Sequence, residues 1–417
     1  MMPFNNKGVY VLLLLIFGFN CKSNEGLQLP KSQEVFKLGL DTLWTAPIYD
    51  FSNNPILNSN GDILMSKMFG TPSGEIFQLY DGVTGKLKWE WQDYFKPELG
   101  FTDQSHALFG DVLVLCGNNN TYALDIITGK TLWRHQMDSM YGDGMIFSDE
   151  DGYVYHGFSA ENATYKIFRT KYYENNWQLV CSYKDSCDYD RMQSSTICVS
   201  KNKMGQKILV STFYLTYNQN SKNTVRAIVL GYNIDEGRFD WVKDYTNKYP
   251  NFWVCQSESV NGKVYVFAVY GDINYLVAIN VNDGSIVWEN VLPDFGVGMY
   301  VYGNYIVPLC NGRNAVTCYN LETGKVFWKR DFSPDALAKM NFEYGGGVVF
   351  KNYLIVTHCD YLLGLNLNNG NIVYFKEIAL PNGCLQIGVA VNEKRKCFYT
   401  QDRNLVICYK LPSEIIY

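Results

Sequence analysis

The sequence predicts an all-β fold, an eight-bladed β-propeller of four-stranded antiparallel blades, closed into a ring by its own N-terminal strand. Three observations predict it. A turn-and-anchor motif recurs six times without gaps, aromatic anchors recur at about the length of one blade, and each end of the repeated region carries an orphan strand.

The motif is Asp/Asn-x-x-x-Gly-x-x-x-Trp/Tyr. It spans Asp81–Trp89, Asp125–Trp133, Asn233–Trp241, Asn280–Trp288, Asn320–Trp328 and Asn366–Tyr374. An Asp or Asn side chain closes a turn by accepting nearby backbone N–H groups. The glycine four residues on supplies the positive φ that hairpin turns require. The following residues alternate into a strand that carries the aromatic at a fixed point. Apolar, β-rich runs such as Val112–Leu115 and Val264–Phe267 precede the motif, so each unit reads as several short strands ending in this hairpin.

The anchors set the blade number. Trp44, Trp89, Trp133, Trp177, Trp241, Trp288, Trp328 and Tyr374 are spaced by 45, 44, 44, 64, 47, 40 and 46 residues, against about 40–45 for a four-stranded blade. Trp177 reads as a degenerate anchor, because Tyr173 stands where the glycine belongs. Trp44 has no repeat before it, and the strand Leu405–Lys410 has no anchor after it. Joining these two orphans completes the last blade and removes an exposed sheet edge.

Composition fits a large β-rich body. The chain has 417 residues, 47% hydrophobic and 16% aromatic, with net charge −5 and no block of Lys or Arg. Nucleic-acid binding, which needs concentrated positive charge, is not expected. Residues 1–20 differ from the rest. Lys7 precedes the apolar run Val9–Phe17, which is too short for a membrane span of about 20 residues and has the form of a secretory signal. Cys21 follows directly and is the expected lipidation site, although Phe19 and Asn20 depart from the usual small residues. Residues 21–39 read as a tether and 40–417 as the propeller.

The fullest copy, Ala123-Leu-Asp125-Ile-Ile-Thr-Gly129-Lys-Thr-Leu-Trp133, is similar to the repeat of PQQ-type propellers. A lipoprotein of this size most resembles the BamB-type outer-membrane lipoproteins. The resemblance implies a non-catalytic scaffold that binds an envelope protein complex such as the barrel-assembly machinery, with a lipid anchor. It also admits a PQQ-dependent dehydrogenase. The adjacent cysteine pair common in that family's quinone site is missing from this sequence, so no cofactor and no catalytic residue are expected. A glycan-binding surface lipoprotein is the other alternative.

Other motifs have structural readings. His106, His135, His156 and His358 lack metal-ligand spacing. Asp149-Glu-Asp-Gly152 reads as a hairpin turn rather than a calcium loop. Gly345–Gly347 reads as small residues crowding the ring axis. Cys318 and Cys408 occupy a position that elsewhere holds Ala or Gly, so they read as compact buried side chains. Cys181 and Cys187 are the nearest candidates for a disulfide.

Specificity is expected where the repeat fails. The long interval before Trp241 contains the polar stretch Tyr214–Asn223, read as an extended hairpin. Tyr214, Tyr217, Tyr249, Phe252 and Trp253 are the candidate partner-binding residues. The alternative for Trp253 is packing in the next blade's first strand, because Val254 and Cys255 follow it.

Overall fold

A computed structural model describes residues 41–48, 55–67, 76–92, 106–116, 120–136, 141–160, 164–185, 191–219, 222–252, 258–310, 315–331, 346–358, 361–377, 388–402 and 405–416. These form eight antiparallel sheets, the blades of a propeller. In chain order the blades span residues 56–92, 106–136, 141–184, 191–244, 251–292, 296–331 and 347–377. Blade 8 joins residues 390–410 to the N-terminal strand Thr42–Pro47. In blade 5 the inner strand has two described pieces, Asn251–Phe252 and Glu258–Val260, both paired with Lys263–Tyr270.

The expected closure is present. Thr42–Pro47 pairs antiparallel with Leu405–Lys410, placing Trp44 opposite Cys408. Blade 8 then grips blade 1. Arg395 donates to the carbonyls of Gly61 and Asn60 at 3.1 and 2.9 Å, and Tyr399 Oη donates to Gly82 O at 3.0 Å.

Blade packing explains the apolar runs. The second strand of blade 2, Val-Leu-Val-Leu-Cys, is buried at four successive positions. Middle strands lie between two neighbouring blades, so both faces are covered and the run need not alternate. The outer strand of blade 5, Ile286–Leu292, does alternate, with half-buried and exposed residues in turn. Gly296 opens the inner strand of blade 6, where an added Cβ would lie 2.4 Å from the Phe267 ring. Gly347 opens that of blade 7.

The repeated motif builds the joint between blades. Asp81 Oδ1 accepts the backbone N–H groups of Val83 and Thr84 at 3.0 and 2.9 Å, and Gly85 N donates to Asp81 O at 2.8 Å. Asp125, Asn233 and Asn320 repeat this turn. The glycine then serves the preceding blade. A Cβ on Gly85, Gly129, Gly284, Gly324 or Gly370 would fall 2.5–2.7 Å from the indole of Trp44, Trp89, Trp241, Trp288 or Trp328 respectively. Each of those indoles also donates Nε1–H to a carbonyl of the next blade's turn: Gly82, Ile127, Val281, Leu321 and Leu367, at 2.8–3.2 Å. Trp133 makes the same bond to Tyr172 O at 2.9 Å.

Two interfaces lack the docked indole. Blade 7 ends in Tyr374, and blade 8 has no motif turn to receive it. The C-terminal helix Ser413–Ile416 packs there instead, with Ile415 buried against Val373 and Tyr374. The other departure corrects the sequence reading of blade 3. The strand irregularity that precedes the anchor in other blades falls here at Ile167/Phe168, opposite Cys181. Cys181 therefore holds the anchor position, and Trp177 lies just before the outer strand. The Trp177 ring instead faces Trp133, His135 and His156, and its Nε1 is buried without a hydrogen-bond partner. Cys181 is a free, buried thiol, which overturns its expected disulfide; Cys187 lies outside the described residues. Cys318 and Cys408 are fully buried in blade cores, as read from the repeat.

The joint makes a direct prediction. Trp288→Ala should cost about 3–5 kcal/mol in urea denaturation. Gly324→Ala, placed at φ +67° and 2.7 Å from the Trp288 ring, should cost about 2 kcal/mol or more although it touches only the partner side of the same contact. Equal stability of the Gly324→Ala variant and the parent would contradict this joint.

Candidate functional site

The irregular interface between blades 3 and 4 lacks the indole joint, and charged groups replace it. The blade 3 turn read from Asp149-Glu-Asp-Gly152 is a hairpin turn, with Asp149 Oδ1 accepting the N–H groups of Asp151 and Tyr153 at 3.0 and 2.9 Å. Its other oxygen receives Tyr155 Oη–H at 3.0 Å and the Lys207 ammonium of blade 4 at 2.9 Å. Lys207 also contacts Asp151, and Lys201 contacts Glu150. Burial opposes the charge on Lys207, but its bonds to Asp151 and Asp149 outweigh burial and raise its pKa. Lys207 in turn holds the Asp151 carboxyl below its ordinary range.

Farther out, Arg226 of blade 4 reaches Asp185 at 2.9 Å and Asp244 at 2.8 Å. Apolar contacts complete the seam. Tyr183 stacks on Phe213 and meets Phe239 edge-on. Gly237, the motif glycine of blade 4, has no indole against it; its nearest neighbour is Tyr232 Oη at 3.8 Å from an ideal Cβ.

A cavity of about 830 Å³ opens beside this seam, against the inner strands of blades 2 to 5. Its charged and polar lining includes His106, Asp149, Glu150, Lys201, Lys207 and Glu258. A smaller recess of about 350 Å³ continues between blades 4 and 5, sharing Lys201, Asn261 and Gly262 and adding Lys203 and Lys263. Mixed charge in the larger space and lysines in the smaller one can bind polar partner segments. Among the described residues no group of three His, Cys, Asp or Glu could hold a metal ion.

Blade 4 also stands out in length. Its first three strands, Arg191–Lys201, Lys207–Gln219 and Lys222–Asn233, run 11, 13 and 12 residues. The last two pair continuously from Ile208↔Asn233 to Gln219↔Lys222. The corresponding strand of blade 6, Ala315–Asn320, has 6 residues, so the blade 4 hairpin extends about 20 Å beyond that length at 3.3 Å per residue.

The sequence candidates fall into three groups. Tyr214 and Tyr217 lie on this hairpin, opposite Ala227 and Thr224. Tyr249 and Phe252 are both 1% exposed, packed with Val266, Ala268 and Val277 between blades 4 and 5. They are core residues here, with Tyr249 Oη bonded to Glu289. Trp253 and Cys21 lie outside the described residues. Sequence reasoning missed Asp149, Asp185, Lys207 and Arg226 as a set, because residues far apart in the chain meet only across the seam. The missing glycine at Tyr173 bears on the preceding interface, where Trp133 keeps its Nε1 bond to Tyr172 O, and marks blade 3 as irregular without revealing the seam.

Two predictions follow from these contacts. Asp185 has 2% side-chain exposure, so Arg226→Met removes the counter-charge of a buried carboxylate that keeps the Tyr183 Oη bond at 3.1 Å, and should cost about 3 kcal/mol in urea denaturation. Adding Asp185→Asn should restore much of the loss, and equal losses in single and double variants would contradict the pairing. His156 is fully buried, with Nδ1 at 3.3 Å from Thr121 Oγ1. Burial, aided by the nearby His135, pushes it down to about 3. Protons below pH 6.5 therefore favour the unfolded chain, so stability present above pH 6.5 should fall as pH drops toward 3. His156→Gln should flatten the stability slope between about pH 6.5 and 5, where carboxylates stay ionised; an unchanged slope would contradict neutral burial.

Comparison with known proteins places this architecture. The family described as "Outer membrane protein assembly factor BamB" matches residues 41–150 and 274–380, just over half of the chain. The stretch between them holds blade 4 and most of blade 3, with the seam residues Asp149 and Glu150 at the edge of the match. No curated protein sequence matches the chain. Similar solved structures include BamB from Moraxella catarrhalis, at 14% identity over 90% of this chain and 98% of that one, with TM-score 0.50. The Dos1 propeller shares 8% identity over 88% and 97%, with TM-score 0.54. Sqt1 of Saccharomyces cerevisiae shares 11% over 90% and 100%, also with TM-score 0.54. These likenesses show a common fold. On the repeat, the ring it closes and the profile that matches over half its length, the chain belongs to the family of the outer membrane protein assembly factor BamB.

Proposed function

We propose that this chain is a non-catalytic, protein-binding propeller of the cell envelope, tethered to the outer membrane through lipid on Cys21. Its partner is an envelope protein complex of the barrel-assembly kind. Family membership supports the setting. The observation that carries the binding role is the long blade 4 hairpin, with paired strands of 13 and 12 residues, beside a charged cavity and a seam without the indole joint. Length beyond what the ring needs serves contact rather than closure. Extended strands of this kind hold a partner by backbone pairing and by side-chain pockets.

Tyr214 and Tyr217 belong to this hairpin and are the residues on it that we assign to binding. Trp253 is the third candidate, in the stretch that follows Phe252. Tyr249 and Phe252 support the surface from beneath, through the core they fill.

Cross-linking in the native envelope tests this reading. Replacing residues 216–225 with a two-residue turn, which keeps the buried Leu215, should leave the circular dichroism spectrum and urea midpoint close to the parent while abolishing partner cross-links. Undiminished cross-linking would refute the hairpin as the docking element. Polysaccharide binding that disappears in Trp253→Ala would replace the protein partner with a glycan. For the tether, labelling by a palmitate analogue should vanish in Cys21→Ser, and continued labelling would refute lipidation there.

A further inference from the structure

Blade 8 holds a thiol pair that the scaffold reading does not use. Cys397 opens the strand Cys397–Asp402, and Cys408 lies on the neighbouring strand Leu405–Lys410. The register sets Tyr399 opposite Cys408 and Cys397 opposite Lys410, so the two cysteines are diagonal neighbours on adjacent strands. Both side chains lie in one buried cluster with Trp44, Tyr399 and Val406. Both are free thiols, with 1% and 0% exposure, and they hydrogen-bond to one another. Cys397 Sγ also lies 3.4 Å from Tyr399 Oη.

The surroundings separate this pair from the other buried thiols. The bond from Cys408, together with Tyr399 and the nearby Arg395 charge, outweighs burial and lowers Cys397 to about 7. Cys408 moves the opposite way, upward, chiefly through its bond to Cys397. Cys318, without such a neighbour, is pushed up to about 12 by burial alone. Two free thiols on adjacent strands, within one cluster, give the arrangement of an attacking and a resolving thiol. Cys397 directly follows the turn at Glu393–Lys396.

We propose that Cys397 and Cys408 form an oxidation site that reacts with small hydroperoxides to give a disulfide across the last hairpin of the ring. The Cys397 thiolate attacks one peroxide oxygen, the O–O bond breaks, and hydroxide leaves with a sulfenic acid on Cys397. Cys408 then attacks that sulfur, the S–O bond breaks, and water leaves as the S–S bond forms. The first hydroxide takes up the proton that Cys397 released on ionising, and the Cys408 proton leaves with the sulfenyl oxygen, so two thiol groups and one hydrogen peroxide yield one disulfide and two waters. The bond would fasten the hairpin whose outer strand pairs with Thr42–Pro47, at the point where Cys408 faces Trp44.

The test uses the folded full-length chain treated with hydrogen peroxide, quenched, alkylated and digested. The expected product is a peptide pair linked through Cys397 and Cys408, reversed by dithiothreitol, while Cys318 in the same sample remains alkylatable once unfolded. Cys408→Ala should stop the linkage and leave Cys397 as a sulfenic acid that dimedone captures. Cys397→Ala should leave Cys408 unoxidised. Full alkylation of both cysteines after peroxide treatment would overturn the proposal, as would oxidation of Cys318 at the same rate. Circular dichroism of each variant verifies folding, and Cys397→Ser gives a second, smaller perturbation with the same expected loss of linkage.

Discussion

The contact on which the ring depends is an indole from one blade lying against the motif glycine of the next. It joins two requirements in one place. The turn needs a glycine for its positive φ, and the neighbouring tryptophan needs a surface without a Cβ. The indole N–H then finds a carbonyl in the same turn, so a large apolar ring is buried with its polar atom satisfied. Along most of the ring a blade both offers an indole and receives one, and stability accrues between neighbours as in other repeat architectures. Closure by Thr42–Pro47 extends the same contact across the chain ends, since Trp44 of blade 8 docks on Gly85 of blade 1.

This contact also explains what was legible in the sequence. Motif spacing is enough to reveal turn, strand and anchor, because all three lie within nine residues and each has a local physical cause. The closure was legible too, since an anchor without a repeat and a strand without an anchor complete one another. The third anchor was not. Trp177 keeps the chain spacing, but pairing between strands decides position, and a register irregularity puts Cys181 in the anchor's place. Spacing along the chain cannot reveal which strand residue faces the next blade. The same limit hid the Asp185–Arg226 and Asp149–Lys207 pairs, whose members are 41 and 58 residues apart.

The candidate surface arises where the repeating contact is absent. Charged pairs join blades 3 and 4, the longest strands among the described residues rise there, and the larger cavity opens beside them. The aromatic cluster near Trp253 divides differently from its sequence appearance. Tyr249 and Phe252 are consumed by the core because the chain must turn inward to begin blade 5. Tyr214 and Tyr217 remain on the hairpin, outside the regular blade. The residues proposed for binding, Tyr214 and Tyr217, lie in the part of the chain that the family profile does not match, while the shared repeat supplies the frame.

Native-state hydrogen exchange read by mass spectrometry tests the indole joint most directly. The account predicts that raising salt speeds exchange first in the peptides flanking the blade 3–4 seam, residues 141–160 and 207–219, because surface members of the ionic set are screened. Peptides bearing Trp241, Trp288 and Trp328 should keep their protection. Faster exchange at a tryptophan-docked interface than at the seam, or equal exchange across all blades, would contradict it.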